Sequence, residues 1–387
     1  MRQRSTTAAI TRSGKHMKTD IAKMLDIEVP IFAFSHCRDV VAAVTKAGGF
    51  GVLGAAWMSP EEFEMSIEWL EQEVGDRPFG VDLVFPGTGN DEMSPEEYAA
   101  SMPSEQLAFV SQMMHDAGIS DITEDLQREF IVESANKLSM TQAKSQEQFA
   151  IALAHPSVKA IVGALGVTPS WVVSEAHAKG VRVGALVGSA RHAAKQVEAG
   201  VDFIVAQGTE AGGSVGSIAS VVLWPQVVEA AAGVPVLAAG GISRGSQILA
   251  SFAMGCQGVW LGSLWLGTTE AELDEEQRQR LFQAGSEDAV ISKMMTGKQG
   301  RMLRTKYTET WESEAAPHHL VWPLQSILWG YANTRAERGH KLDYWTYSVG
   351  QMVSDMKATT TVKAEMTRLL TEYIEALEAT EQLTSAE

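Results

Sequence analysis

The chain has 387 residues, 45% of them hydrophobic and 20% charged, with a net charge of −17. That is an ordinary globular composition, long enough to bury a full core. The acidic balance argues against a nucleic-acid role, which needs a basic face for phosphates. No run of about 18 apolar residues occurs, so no membrane-spanning helix is expected.

The two cysteines, Cys37 and Cys256, exclude a disulfide framework. They read as buried free thiols in a reducing compartment, and the expected location is the cytoplasm. Residues 1–20 hold Arg2, Arg4, Arg12, Lys15 and Lys18 before the first acid, Asp20. Although this resembles a transit peptide in composition, it reads as a tail, or as translation from upstream of a natural start at Met17. It is left outside the expected fold.

From Val29 onward, short apolar runs alternate with helical stretches. Strands are expected at 29–34 and 50–54, with a helix from Arg38 to Ala47 between them. The next helix opens with Ser59-Pro60-Glu61-Glu62, where serine caps free amides, proline fits the first turn and the acids suit the positive end of the dipole. A third strand is expected at 79–84. Residues 87–145 then turn polar, acidic and Met-rich, with helix starts at Ser94-Pro95-Glu96-Glu97 and between Asp121 and Asp125. This stretch reads as a helical insertion after strand three.

The strand rhythm resumes at 158–165, 181–187, 201–207, 234–240 and 258–262, with helices between. Continuous apolar runs mark strands buried on both faces, as in a parallel sheet wrapped by helices. Eight such units predict an α/β fold, a (β/α)8 TIM barrel over 21–300. An open doubly wound sheet is the competitor, but no GxGxxG follows the first strand. Residues 301–387 carry Trp311, Trp322, Trp329 and Trp345 and an amphipathic helix at roughly 359–379. They read as a C-terminal helical subdomain.

Barrel active sites lie on the loops after the strands, with phosphate sites common after the seventh and eighth. Strand seven runs into Gly240-Gly241 and a helix beginning Ser243-Arg244-Gly245; strand eight runs into Gly262-Ser263. Glycines let amides approach an anion, a helix start adds its dipole, and Ser263 can donate a hydroxyl bond. Strand six leads into Gln207-Gly208-Thr209-Glu210-Ala211-Gly212-Gly213-Ser214, a loop able to lie flat on a planar ring, with Gln207 offering donors and an acceptor at its edge. His318-His319 lacks further ligand spacing, so no metal is expected.

These segments, AQGTEAGGSVG, AAGGIS and GVWLGS, resemble the signatures of the nitronate monooxygenase family, formerly 2-nitropropane dioxygenases. The likeness extends to AGGFGVLG at 47–54, FGVDL at 79–83, TGKQGRMLR at 296–304 and Gly350-Gln351. It implies a barrel that binds FMN and acts on a small-molecule substrate, with contacts at Gln207, Gly208, Gly212, Gly213, Gly240, Gly241, Gly262 and Ser263. Ala33, Phe34 and Asp82 are expected beside the cofactor too.

Three departures bear on mechanism. Ser214 stands where the family loop has histidine, strand one reads Phe32-Ala33-Phe34-Ser35-His36-Cys37 in place of a Pro-Met segment, and Asp82 stands where asparagine is usual. A serine hydroxyl is too weakly basic to replace imidazole. His36 and Ser214 are the catalytic candidates, His36 as replacement acid or base. A nitronate is already an anion, so its oxidation with O2 survives the change, whereas a neutral nitroalkane needs a base. The alternative is hydride from NAD(P)H reducing an enone, quinone or acyl thioester. A homodimer is compatible with the sequence.

Overall fold

A computed structural model describes residues 17–86, 93–138 and 141–385. Eight parallel strands close on themselves: β1 (Ile31–Ser35), β2 (Phe50–Gly54), β3 (Phe79–Leu83), β4 (Val158–Gly163), β5 (Arg182–Val187), β6 (Phe203–Gln207), β8 (Val236–Ala239) and β9 (Gly258–Leu261). β1 pairs with β9, which completes the ring. A second, small antiparallel sheet orders β10 (Ala289–Ser292), β11 (Gly300–Leu303) and β7 (Gly213–Ser214).

Strand alternation sorts the side chains into two cores. Phe32, Phe50, Val52, Phe203, Val205, Leu237 and Trp260 fill the barrel. Ala33, Leu53, Val81, Leu83, Ala185 and Ala206 face outward into the core under the helices. At the N-terminal end of the barrel, Ile21 and Leu25 plug the interior from the helix Asp20–Met24 and its cap.

The expected tail is shorter than 1–20. Met17 is 1% exposed and packed in the outer core, and the Thr19 hydroxyl caps the first helix by accepting from Ala22 N. An apolar side chain with a ready slot gains more from burial than from freedom. Residues 1–16 lie outside the described part.

The predicted helix starts at Ser59 and Ser94 are both capping boxes, with Glu62 and Glu97 returning the bond to the cap amide. In the stretch after β3, the helices Pro95–Ser101, Ser104–Asp116 and Glu124–Leu138 bury Tyr98, Val110 and Ile131 in a core separate from the two barrel cores. The following helix, Gln142–Ala154, belongs to the wall and packs on Pro60–Val74. The inserted part therefore ends before Gln142, because Thr141 caps a helix whose Phe149 and Ala152 are already barrel core.

The helices beyond residue 300 divide between two places. Helix Leu324–Arg338 packs on Glu124–Leu138, and Ile327, Leu328 and Tyr331 join Val110, Met114 and Ile131 in a second core. Helix Val362–Ser385 returns to the barrel, against Gly245–Ala253 and Arg38–Lys46. It fills the eighth helix position, so the long segment between β9 and this helix is itself inserted. Among the described residues, no helix is long and apolar enough to cross a membrane.

Candidate active site

At the C-terminal mouth, the alternation that buries Val81 and Leu83 outward turns Asp82 inward, and that of β6 turns Gln207 inward. Asp82 is 3% exposed, and its Oδ2 has no hydrogen-bond partner. Burial holds its carboxyl pKa well above the ordinary range, so the protonated form is favoured. A buried carboxylic acid with an idle oxygen at a barrel mouth fits a polar ring edge.

His36 sits at the rim beside β2. Its Nδ1 lies 2.8 Å from the Gly54 carbonyl, and its ring stacks on Trp57 and meets Phe34 edge-on. Solvent reaches the residue, yet protein crowds the imidazole enough for desolvation to lower its pKa, the Gly54 bond acting in the opposite direction. Neutral imidazole results. Phe34 in turn stacks on Trp260, centroids 6.0 Å apart.

The anion cradle is made by two strand ends. Gly240 and Gly241 adopt φ of 103° and 73°, a left-handed region that other residues enter at a penalty. Among the described residues, no hydrogen bond uses the amides of Gly240, Gly241, Gly262 or Ser263. A Cβ at Gly262 would meet nothing nearer than Phe34 at 4.0 Å, so space is open above it. Unpaired amides around open space fit a phosphate.

The helix start expected to contribute is already filled. Amides of Ser243 and Arg244 donate to Gln247 Oε1 at 2.7 and 3.0 Å, and that of Gly245 to Glu372 Oε2 at 2.9 Å. A carboxylate at the positive end of the dipole occupies the place an anionic ligand would take. The cradle is therefore the two glycine turns without this helix.

Other expected residues have structural duties as well. Gln207 Nε2 donates to the Ser214 carbonyl at 2.7 Å, which pins the loop and leaves Oε1 free. Gly208 lies against Ser220, and a Cβ on Gly212 would stand 2.8 Å from the Val349 carbonyl carbon. Gly213, at φ 76°, and Ser214 pair with β11. Ser214 is exposed, and its hydroxyl makes no hydrogen bond among the described residues. Ser263 Oγ accepts from Gly350 N at 2.8 Å, keeping its own hydrogen to donate. Ala33 stands apart from the other candidates: its methyl is in the outer core, because only Phe32 and Phe34 share the inward parity of β1.

Sequence reading did not single out Trp57, the barrel's half of an aromatic wall at the mouth. Trp57, 39% exposed, touches Trp329 from the second core, ring centroids 5.8 Å apart. An exposed tryptophan just after the β2 glycine was the available signal. Both cysteines favour the protonated thiol: burial pushes Cys256 up to about 12 and also raises Cys37, whose Sγ donates to the Glu270 carbonyl.

Fold and site together define an oxidoreductase on a (β/α)8 barrel. The nitronate monooxygenase family model matches residues 17–372. The chain is 41% identical over 371 residues to the Mycobacterium tuberculosis protein Rv1533, which carries a monooxygenase name, covering 93% of this chain and 98% of that one. It is 27% identical over 310 residues to a Staphylococcus aureus protein named as a nitronate monooxygenase, covering 76% and 80%. In structure it is similar to nitroalkane oxidase from Streptomyces ansochromogenes, with TM-score 0.74, 23% identity and coverage of 93% and 99%. The chain belongs to the nitronate monooxygenase family, and that membership implies a flavin cofactor.

Proposed function

We propose that the chain is an FMN-dependent oxidoreductase that oxidises a nitronate-like anion with O2. The observation that carries this reading is the coincidence, in one mouth, of unpaired amides after β8 and β9 with the inward Asp82 carboxyl. The amides of Gly240, Gly241, Gly262 and Ser263 would hold the phosphate. Gln207 Oε1, Asp82 and the Phe34 ring would border the ring system. Bound FMN supplies the electron acceptor that the protein's own side chains lack.

The remaining chemistry is a matter of protons. A nitronate arrives deprotonated, so no side chain has to act as base. A neutral nitroalkane requires one, and Ser214 is too weak. His36 suits that role, since the Gly54 carbonyl can only accept, which puts the proton on Nδ1 and leaves the Nε2 lone pair free. Desolvation keeps this ring neutral near pH 7.

The Trp57–Trp329 wall supports a second reading, NAD(P)H-driven reduction of an apolar enone, quinone or acyl thioester. Anaerobic stopped-flow mixing separates the two. Fast bleaching of the flavin by propionate 3-nitronate supports the first; fast bleaching by NADH with none by the nitronate rejects it.

A further inference from the structure

One short stretch, Val349 to Asp355, reaches all three loops of the proposed cofactor site. The Val349-Gly350 backbone lies directly on Gly212, and a Cβ at Gly350 would stand 2.6 Å from the Glu210 carbonyl oxygen. Gly350 N donates to Ser263 Oγ at 2.8 Å, and Gln351 N donates to the Glu210 carbonyl at 2.9 Å. Ser286 Oγ donates to the Gln351 carbonyl at 2.7 Å. At the far end, Asp355 accepts from Ser243 Oγ and from Arg244 Nη2 at 2.8 Å and Nε at 3.3 Å. The loops after β6, β8 and β9 are thus tied together by seven consecutive residues.

We propose that this segment is a strap that pre-positions the three loops for the cofactor phosphate, with Asp355 as its anchoring residue. The inference rests on the FMN reading above and adds a positioning role for residues that do not themselves meet the ligand. Its physical basis is preorganisation: loops ordered on folding do not have to be ordered again on binding. Ser263 carries the coupling most directly. Its oxygen accepts from the strap, which fixes the hydroxyl and strengthens its hydrogen as a donor. Pairing with Arg244 also offsets the Asp355 charge, which would otherwise repel an incoming phosphate.

The test is titration of the full-length apo chain with FMN and with riboflavin, which lacks the phosphate, for wild type, Asp355→Ala and Asp355→Asn. FMN affinity should fall roughly ten- to a hundredfold in Asp355→Ala, the usual range for losing bonds to a charged group. The fall should be smaller in Asp355→Asn, and riboflavin affinity should hold within about twofold in both. In the wild type, FMN should slow amide exchange at Gly350 and Gln351; this measurement and Asp355→Asn decide the matter if Asp355→Ala does not fold. Unchanged FMN affinity in the variants, or equal losses for FMN and riboflavin, overturns the strap alone. A wild-type chain that binds riboflavin and FMN equally also overturns it. A wild-type chain that binds neither overturns the flavin reading and the strap with it.

Discussion

His36 and Trp57 stack with ring centroids 5.6 Å apart and planes 19° from parallel, while the Gly54 carbonyl holds Nδ1 at 2.8 Å. This fixes the ring and its tautomer, and leaves one nitrogen for proton transfer. His36→Gln should therefore slow turnover of a neutral nitroalkane by about 10²–10⁴-fold, and turnover of its preformed nitronate only slightly. The lowered pKa gives the pH dependence its sign. Nitroalkane turnover should fall as pH drops through a value below the ordinary histidine value of about 6.5, and that limb should vanish in the variant. Steady-state kinetics on both substrates from pH 5 to 9 checks this; equal losses on both substrates would contradict it.

Asp82 affects stability in a pH-dependent way. Its raised pKa means the folded chain keeps a proton that the unfolded chain has released. The stability it contributes is fully present below the unfolded value and lost as pH rises toward the folded one. Asp82→Asn should therefore gain on wild type by about 1.4 kcal/mol per pH unit across that window. Urea unfolding of the apo chain at several pH values reads the difference; a constant difference would show that Asp82 is ionised in both states.

Gly212→Ala would drive a Cβ into the Val349–Gly350 backbone, at 2.8 and 2.9 Å. Backbone cannot swing aside as a flexible side chain can, so an overpacking penalty of about 1–3 kcal/mol is expected. Thermal unfolding of the apo chain measures it. An alanine variant as stable as wild type would show that this approach is looser in solution.

The second core links sequence segments far apart. Ile327, on helix Leu324–Arg338, is fully buried in the core that this helix shares with the insertion helices. Ile327→Ala should cost about 2–5 kcal/mol locally. Hydrogen exchange should then rise together across 104–138 and 324–338 and stay slow in β1–β6. Exchange that rises in only one of the two segments would show that they are separate units.

The eight strands were legible because burial on both faces leaves near-continuous apolar runs, such as Phe203 to Ala206. Ser59 and Ser94 were equally legible, since a capping box is a local contract between residues three apart. What failed was long-range. The amphipathic pattern of Val362–Ser385 was visible, but nothing in it says that its partners are the first and seventh wall helices. The Gly245 helix start read as an open anion site because its cap, Glu372, lies 127 residues away. Ala33 was misplaced by one step of strand parity, which its small side chain does not reveal. Trp329 looked like core and is core, yet it also reaches Trp57 at the mouth.

Two glycine turns and Asp82 are proposed to form a seat for FMN. The visible spectrum of the purified chain, followed by titration of the stripped apo protein with FMN, decides this. Oxidised-flavin absorption at about 450 nm and saturable, one-to-one binding that depends on the phosphate are expected. A colourless protein that takes up no FMN would contradict it.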